Sequence, residues 1–336
     1  MPKWLRDGEF KDDIVLSTRV RLARNVKGLP YPNKITKQAE VNRLVNIAKK
    51  TFIEHSDFEY IDFGKISNIQ KWILQEKYLI SPQFAKRKYA GLILSPDERL
   101  SIMIMEEDHF RLQGMMPGFE VEKSFALVDE LDNMLAKNAD YSFSQKLGYL
   151  TACPTNLGTG IRVSVMLNLP ALNMSREMGP IVANLEKRGL TCRGAFGEGT
   201  SPLGDLFQVS NEVTLGFAEK DILSAVESAT REIIELEKKA QRTMYDINTL
   251  LVEDRIFRSL ATLKNARMLS TKEMTSCISY VNMGISLGLI EEIDHERLYS
   301  LIIDTRPATM AEMDGKLLPE VLRDERRAEL VRKALT

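Results

Sequence analysis

Hydrophobic positions along the chain follow two regimes. Up to about position 217, strand-like alternation and glycine-rich turns are interleaved with helical stripes; beyond it, almost every segment repeats at helical spacing. In "TKQAEVNRLVNIAKKTF", Val41, Leu44, Val45, Ala48 and Phe52 fall on one helical face, and "VEKSFALVDELDNMLAK" has the same pattern. Past the divide, "DILSAVESATREIIELEKKAQ" predicts a long amphipathic helix. "STKEMTSCISYVNMGISLG" predicts a helix that opens on a capping box, Ser270 to Glu273, and stops at Gly288. "PEVLRDERRAELVRKAL" predicts a charged last helix with Pro319 in its first turn. Together these predict a larger α+β domain and a smaller all-α one, divided between residues 240 and 255, where the long helix gives way to "YDINTLLVEDRIF".

The strand-like segments carry the arginines. Period-two alternation in "DIVLSTRVRLARN" places Arg19 and Arg21 on one face and Val20 and Leu22 on the other. Two neighbouring cations repel, so an anion over that face would relieve them; taken alone, the segment reads as a solvated edge strand. "AGLILSPDERLSIMIMEEDHFRLQG" predicts a hairpin turning at "SPDE". Continuing its second strand puts Leu100, Ile102, Ile104, Phe110 and Leu112 on a core face, with Glu107, His109 and Arg111 opposite, beside Met103 and Met105. Glu107 and Arg111 then read either as a surface ion pair or as a base and an anion clamp. "GIRVSVMLNLP" turns Ile161, Val163, Val165, Leu167 and Leu169 one way and Arg162, Ser164 and Asn168 the other. In the preceding "CPTNLGTG", Cys153 is either a packed thiol or a thiolate steadied by positive charge. Arg193 leads into a loop where Glu198 stands between Gly197 and Gly199, with Pro202 and Gly204 beyond. That loop is either an ordinary turn or a device for bringing a carboxylate to a ligand.

Composition narrows the chemistry. With 46 basic against 47 acidic residues, no overall field draws the chain to nucleic acid or a membrane, so any anion site is local. Cys153, Cys192 and Cys277 are odd in number, widely spaced and lack a CxxC pairing, which argues against a disulfide framework and a zinc site. The histidines are His55, His109 and His295, so a metal held by side chains alone is not expected. The first residues lack an apolar leader and no run of about eighteen apolar residues occurs, which predicts a cytoplasmic protein. A GxxxxGK[ST] loop is missing, and "GTGIRV" lacks the setting of a dinucleotide site. Guanidinium side chains would have to hold any phosphates, and arginines on four strand segments with two glutamates suit a polyphosphate and a cationic acceptor bound together.

"STRVRLARN", "EEDHFR", "CPTNLGTGIR", "RGAFGEG" and "LFQVSN" occur in this order between residues 17 and 211. In that order they resemble the catalytic motifs of the phosphagen (guanidino) kinases, most closely those of bacterial members acting on arginine in proteins. The resemblance implies an antiparallel sheet flanked by helices over residues 1–245 and a helical domain over 246–336 for phosphoarginine binding and oligomerisation. It also implies use of ATP, with Mg²⁺ arriving on the nucleotide. Arg19, Arg21, Arg111, Arg162 and Arg193 match the arginines that hold its phosphates. Glu107 and Glu198 match the pair that grips the guanidinium, the glycines letting Glu198 close over it, and Cys153 matches the active-site cysteine. In "RDERRA", Arg323, Asp324, Arg327 and Ala328 match a phosphoarginine-binding site remote from catalysis, although the stretch also reads as a solvated helix face. Arg323, Arg326 and Arg327, three and four residues apart, are expected to converge.

The first arginine motif stands near the start of the sequence, so the separate N-terminal helical domain of creatine and arginine kinases is expected to be missing. That favours a protein-borne substrate. The resemblance further implies arginine-bearing protein substrates, including a CtsR-like repressor and misfolded proteins, a McsA-like activator, the ClpC–ClpP protease, and a homodimer or higher oligomer. A kinase of a free guanidino metabolite and a non-catalytic phosphoarginine-binding adaptor are the alternatives.

Overall fold

The strand that carries Arg19 and Arg21 lies inside a sheet rather than at its edge. A computed structural model describes residues 2–6, 10, 13–54, 57–195 and 202–335. Its strands are β1 (Val15–Arg24), β2 (Glu59–Asp62), β3 (Gly91–Leu94), β4 (Leu100–Ile104), β5 (Phe110–Pro117), β6 (Phe143–Ser144), β7 (Gly148–Tyr149), β8 (Ile161–Asn168), β9 (Leu190–Gly194) and β10 (Leu206–Asn211). Eight of them form one sheet in the order β2-β3-β4-β5-β1-β8-β10-β9, and β6 and β7 pair separately. Every pairing in the large sheet is antiparallel. The solvated-edge expectation for β1 is therefore corrected: β5 and β8 satisfy its backbone on both sides.

The helices are α1 (Gln38–Phe52), α2 (Asn68–Glu76), α3 (Pro82–Ala85), α4 (Val121–Ala136), α5 (Pro170–Met174), α6 (Met178–Lys187) and α7 (Glu219–Ile247). After a break at Asn248 come α8 (Thr249–Asn265), α9 (Thr271–Ser286), α10 (His295–Asp304), α11 (Pro307–Asp314) and α12 (Glu320–Leu335). α4 packs on β1 and β5, and α7 on β8 and β10. Val20, Leu22, Val163 and Val165 are wholly or almost wholly buried. Val41, Leu44, Ala48 and Phe52 of α1 join the same core, as their spacing predicts. Arg24 is out of phase with Arg19 and Arg21, so its guanidinium enters this packed side, bonds Asp132 of α4 at 2.7 Å and lies 3.6 Å from the Tyr149 ring centre. At the start of α9 the Ser270 hydroxyl accepts the Glu273 amide at 3.1 Å, and Gly288 follows the helix at φ +73°.

One expectation about the hairpin fails. Its second strand does not run on from Leu100 to Leu112 but ends at Ile104, turns, and restarts at Phe110 as β5. Met105 takes φ +70° in this turn, a left-handed conformation costly for a non-glycine residue. The turn folds β5 back along β4, with Ile104 opposite Phe110, Met103 opposite Arg111 and Ile102 opposite Leu112, so the predicted core face is kept. The His109 ring is fully buried, where Nδ1 accepts the Val26 amide at 2.9 Å and Nε2 donates to Pro30 O at 2.8 Å, so it does not share a face with Glu107 and Arg111.

The helices after Asn248 are tied to the sheet by buried polar contacts. Asn168 of β8 donates to Ser279 of α9 at 2.8 Å, and Ser279 donates to Asp205 at 3.0 Å. The Tyr299 hydroxyl donates to Asp13 O at 2.9 Å. Gly204 approaches α9 so closely that a Cβ there would lie 2.5 Å from Thr275 O, and its φ is +61°. This glycine, one of those around the Glu198 loop, is required by packing.

Candidate active site

β5, β1, β8 and β9 present Arg111, Arg19, Arg21, Arg162 and Arg193 to a cavity of about 800 Å³. Local alternation sets the face, and strand pairing then brings the arginines into register. Arg21 stands opposite Arg162 across β1 and β8, and Arg193 stands opposite Gln208 across β9 and β10. Arg19 donates to Gln208 Oε1 at 3.2 Å, and Arg162 to Ser210 Oγ at 3.0 Å. Arg193 approaches Glu212 at 3.6 Å. Burial first, and then repulsion from Arg111 and Arg162, pull the Arg19 guanidinium down to about 10. Burial and the same neighbours, with Arg19 added, pull Arg21 well below its ordinary value. Such crowding is relieved by a bound anion.

The carboxylate paired with Arg111 is Glu106, at 2.6 Å, and not Glu107. Glu106 is 2% exposed and also accepts the Ser81 hydroxyl at 2.5 Å and the Glu107 amide at 3.0 Å. Burial raises its pKa, but the Arg111 charge and these hydrogen bonds outweigh burial and leave it below the ordinary value. Glu107 is thereby left exposed at the cavity wall. Burial and the neighbouring Glu106 charge raise its pKa, against the opposing pull of Arg111 and a Cys153 hydrogen bond. A carboxylate shifted upward and facing a cavity is suited to take a proton. Glu198, the second carboxylate expected here, lies outside the described residues.

Cys153 ends the loop before a short 3-10 turn, Pro154–Asn156, with Sγ 3.0 Å from the Thr155 hydroxyl. Asp108, bonded by Asn25 at 2.6 Å, accepts the Ala152 amide at 2.7 Å and holds this loop to the Glu107 turn. The thiol is half-buried, whereas burial pushes the Cys192 thiol up to about 12 and also raises Cys277. Iodoacetamide is therefore expected to label Cys153 ahead of the other two in the folded protein, read by peptide mass mapping. Cys153→Ser is expected to slow turnover about tenfold. Labelling that begins only in denaturant would make this thiol a packing residue.

Alternation also missed residues on the cavity wall. Arg87 donates to Glu106 O at 2.6 Å, and Tyr78, Ser81 and Arg306 join it on the lining. No periodicity links these segments to the strands, so strand alternation held no signal for them.

The four residues expected to bind phosphoarginine lie on α12, and none of them lines the cavity. Arg327 is 2% exposed, pairs with Asp324 at 2.5 Å and donates to Leu269 O at 2.7 Å. Ala328 is fully buried. Arg326 instead pairs with Asp314 at 3.1 Å and Glu329 at 2.7 Å. Arg326 and Arg327 are thus each met by carboxylates of the chain, while Arg323 lies near enough to Arg327 to repel its charge. Arg323 is half-buried, and its Nε makes no hydrogen bond among the described residues.

Comparison with known proteins gives two family matches. Residues 40–240 match the ATP:guanido phosphotransferase C-terminal catalytic domain, and residues 249–336 match the protein-arginine kinase McsB C-terminal domain. The protein-arginine kinase of Bacillus pumilus is 38% identical over all of this chain and 93% of its own length. That of Clostridium acetobutylicum is 40% identical over the full length of both. Among solved structures, a lombricine kinase covers 69% of this chain and 68% of its own at 26% identity and a TM-score of 0.60. A duplicated taurocyamine kinase from Schistosoma mansoni, with transition-state analogue components bound, covers 69% of this chain and 35% of its own at 26% identity and a TM-score of 0.59. With its arginine-lined sheet and both family matches, the chain belongs to the ATP:guanido phosphotransferase family, in the protein-arginine kinase branch.

Proposed function

We propose that the chain transfers the γ-phosphoryl group of ATP to the side-chain guanidinium of arginine in proteins. The supporting observation is one cavity into which five arginines from four strands project beside the raised carboxylate of Glu107. A guanidinium has a pKa above about 12, so its nitrogen must lose a proton to become a nucleophile. In this reading Glu107 and Glu198 orient the substrate cation, and Glu107 accepts a proton from the attacking nitrogen. That nitrogen forms the N–P bond as the bond from γ-phosphorus to the β–γ bridging oxygen breaks, and ADP leaves. Arg19, Arg21, Arg111, Arg162 and Arg193 hold the phosphates and meet the charge spread over the equatorial oxygens. Cys153 supports Glu107 by hydrogen bonding.

Among the described residues no group of three or more His, Cys, Asp or Glu is placed to hold a metal ion. Mg²⁺ fits this site as a passenger on the phosphates that keeps several waters, and it would supply further neutralisation of charge. The division into residues 1–245 and 246–336, near the break at Asn248, belongs to the same reading. So do a CtsR-like repressor and misfolded proteins as substrates, a McsA-like activator, handover to ClpC–ClpP, self-assembly and a cytoplasmic location, all supported by family resemblance alone. No helix among the described residues is long and apolar enough to cross a membrane.

Incubation with Mg-ATP and an unfolded, arginine-containing protein such as casein is expected to give acid-labile phosphate on arginine. Phosphorylation of free arginine alone would favour the metabolite kinase, and phosphoarginine binding without transfer the adaptor. For the α12 site, Arg323→Ala is expected to abolish calorimetric binding of free phosphoarginine and spare nucleotide binding. Unchanged affinity would leave α12 a charged helix face. Asp324→Ala is the less clean test, because it also strips Arg327 of its carboxylate partner.

A further inference from the structure

Three elements of the active site meet at a residue that does not touch the cavity. Asn25 directly follows β1, the strand of Arg19 and Arg21, and is buried. Both ends of its side-chain amide are used. Nδ2 donates to Asp108 Oδ1 at 2.6 Å and to Leu150 O at 3.0 Å, and Oδ1 accepts the His109 amide at 2.9 Å. Two acceptors at one end and an N–H at the other fix which way this amide points. The Asn25 carbonyl also accepts the Ser142 amide at 2.7 Å, and Ser142 O accepts the Leu150 amide at 2.9 Å.

Asp108 carries the connection onward. It is buried as well, and the oxygen that accepts Asn25 also accepts the Ala152 amide at 2.7 Å. Glu107 stands immediately before Asp108, and Cys153 immediately after Ala152. These two neighbours meet, since Glu107 takes a hydrogen bond from Cys153. The end of the phosphate-facing strand, the Glu107 turn and the Cys153 loop are thus joined through two side chains. Neither Asn25 nor Asp108 lines the cavity, so neither is placed to touch a nucleotide or an acceptor.

What the pair joins gives it a role in the reaction. Phosphates held from β1 and a guanidinium held by Glu107 must lie at one separation for the nitrogen to reach phosphorus in line, and a misplacement of about 1 Å costs about 10²-fold in rate. We propose that Asn25 and Asp108 are positioning residues for the transfer step, a buried pair that holds Glu107 and Cys153 at a fixed distance from the arginines of β1. This inference rests on the phosphoryl-transfer reading above and adds to it how the acceptor and phosphate halves of the site are kept in register.

The test is steady-state phosphorylation of casein by the full chain, with calorimetric titration of a Mg²⁺-loaded, non-hydrolysable ATP analogue alongside. Asp108→Ala and Asn25→Ala are each expected to lower kcat about 10²-fold and to keep analogue affinity within about threefold. The double variant is expected to be slower than the worse single one by no more than about threefold, because the link is already broken. Asp108→Asn keeps an oxygen for both donors, so its kcat is expected to stay within about tenfold of wild type. Iodoacetamide labelling of Cys153 is expected to quicken in Asp108→Ala, where the loop loses its tether, and to keep the wild-type rate in Asp108→Asn. Near-wild-type kcat in either Ala variant would overturn the proposal. So would a kcat in Asp108→Asn about 10²-fold below wild type, because charge rather than position would then be at work. A loss of analogue affinity parallel to the loss of kcat would overturn it too, since the pair would then support the fold at large. A wild-type protein that phosphorylates no arginine would overturn the transfer reading and this inference with it, whereas unaffected variants of an active wild type leave that reading intact.

Discussion

Glu107→Gln is expected to lower arginine phosphorylation by about 10² to 10⁴ while nucleotide affinity stays near wild type. The amide keeps the size of the side chain and removes both the charge that orients a guanidinium and the acceptor for its proton. The phosphate ligands are separate side chains, on strands that this substitution leaves untouched. The pH profile carries the same signature. Burial and the Glu106 charge hold Glu107 above its ordinary value of 4.5, so activity is expected to fall as pH drops through that raised value, because the carboxylate gains its proton. Glu198→Gln is expected to act in the same direction. Near-wild-type turnover in either variant would remove that residue from the chemistry.

Glu106→Gln is expected to be the most destabilising single change at the site, by about 3–5 kcal/mol, the range for breaking a buried ion pair. Glu106 is 2% exposed and receives Arg111, the Ser81 hydroxyl and the Glu107 amide. Without its charge, Arg111 is left in a cavity already crowded with guanidinium groups. Urea unfolding should show the loss as a lower midpoint, accompanied by weaker nucleotide binding as Arg111 shifts. Ser81→Ala removes one hydrogen bond to the same carboxylate and should cost only about 1–2 kcal/mol. Because the folded protein holds Glu106 below its ordinary 4.5, its stabilisation is present above that pH and is lost as pH falls through the lower, folded-state value. An unchanged midpoint for Glu106→Gln would show that Arg111 is equally well satisfied by another partner.

Much of this site was legible because it is written in local alternation. Side chains two apart on a strand share a face whatever the rest of the fold does. Arg19 and Arg21 on β1, and Arg162 on β8, therefore declared their face before any partner strand was known. The same rule separates Arg24, three residues from Arg21 and on the packed side with Asp132. Helical spacing likewise carried α1, α4, α7, α9 and α12, since each buries a stripe of its own residues.

Pairing was not legible in this way. The central place of β1 depends on β5 and β8, whose partner residues lie far along the chain and meet it only when the sheet forms. The choice of Glu106 over Glu107 as the partner of Arg111 is made in the tight turn between β4 and β5, where Met105 is left-handed and strand alternation does not apply. Arg327 reads as a surface residue in its charged stretch, yet the fold buries it against Asp324, Leu269 and Thr305. Arg306 is more distant still, reaching the cavity only because α11 seats its first turn on Glu76. The sequence by itself determined which residues share a face, because that follows from the repeat of a single strand or helix; only the tertiary structure decided which faces meet, because charges become neighbours across the cavity through long-range pairing and packing.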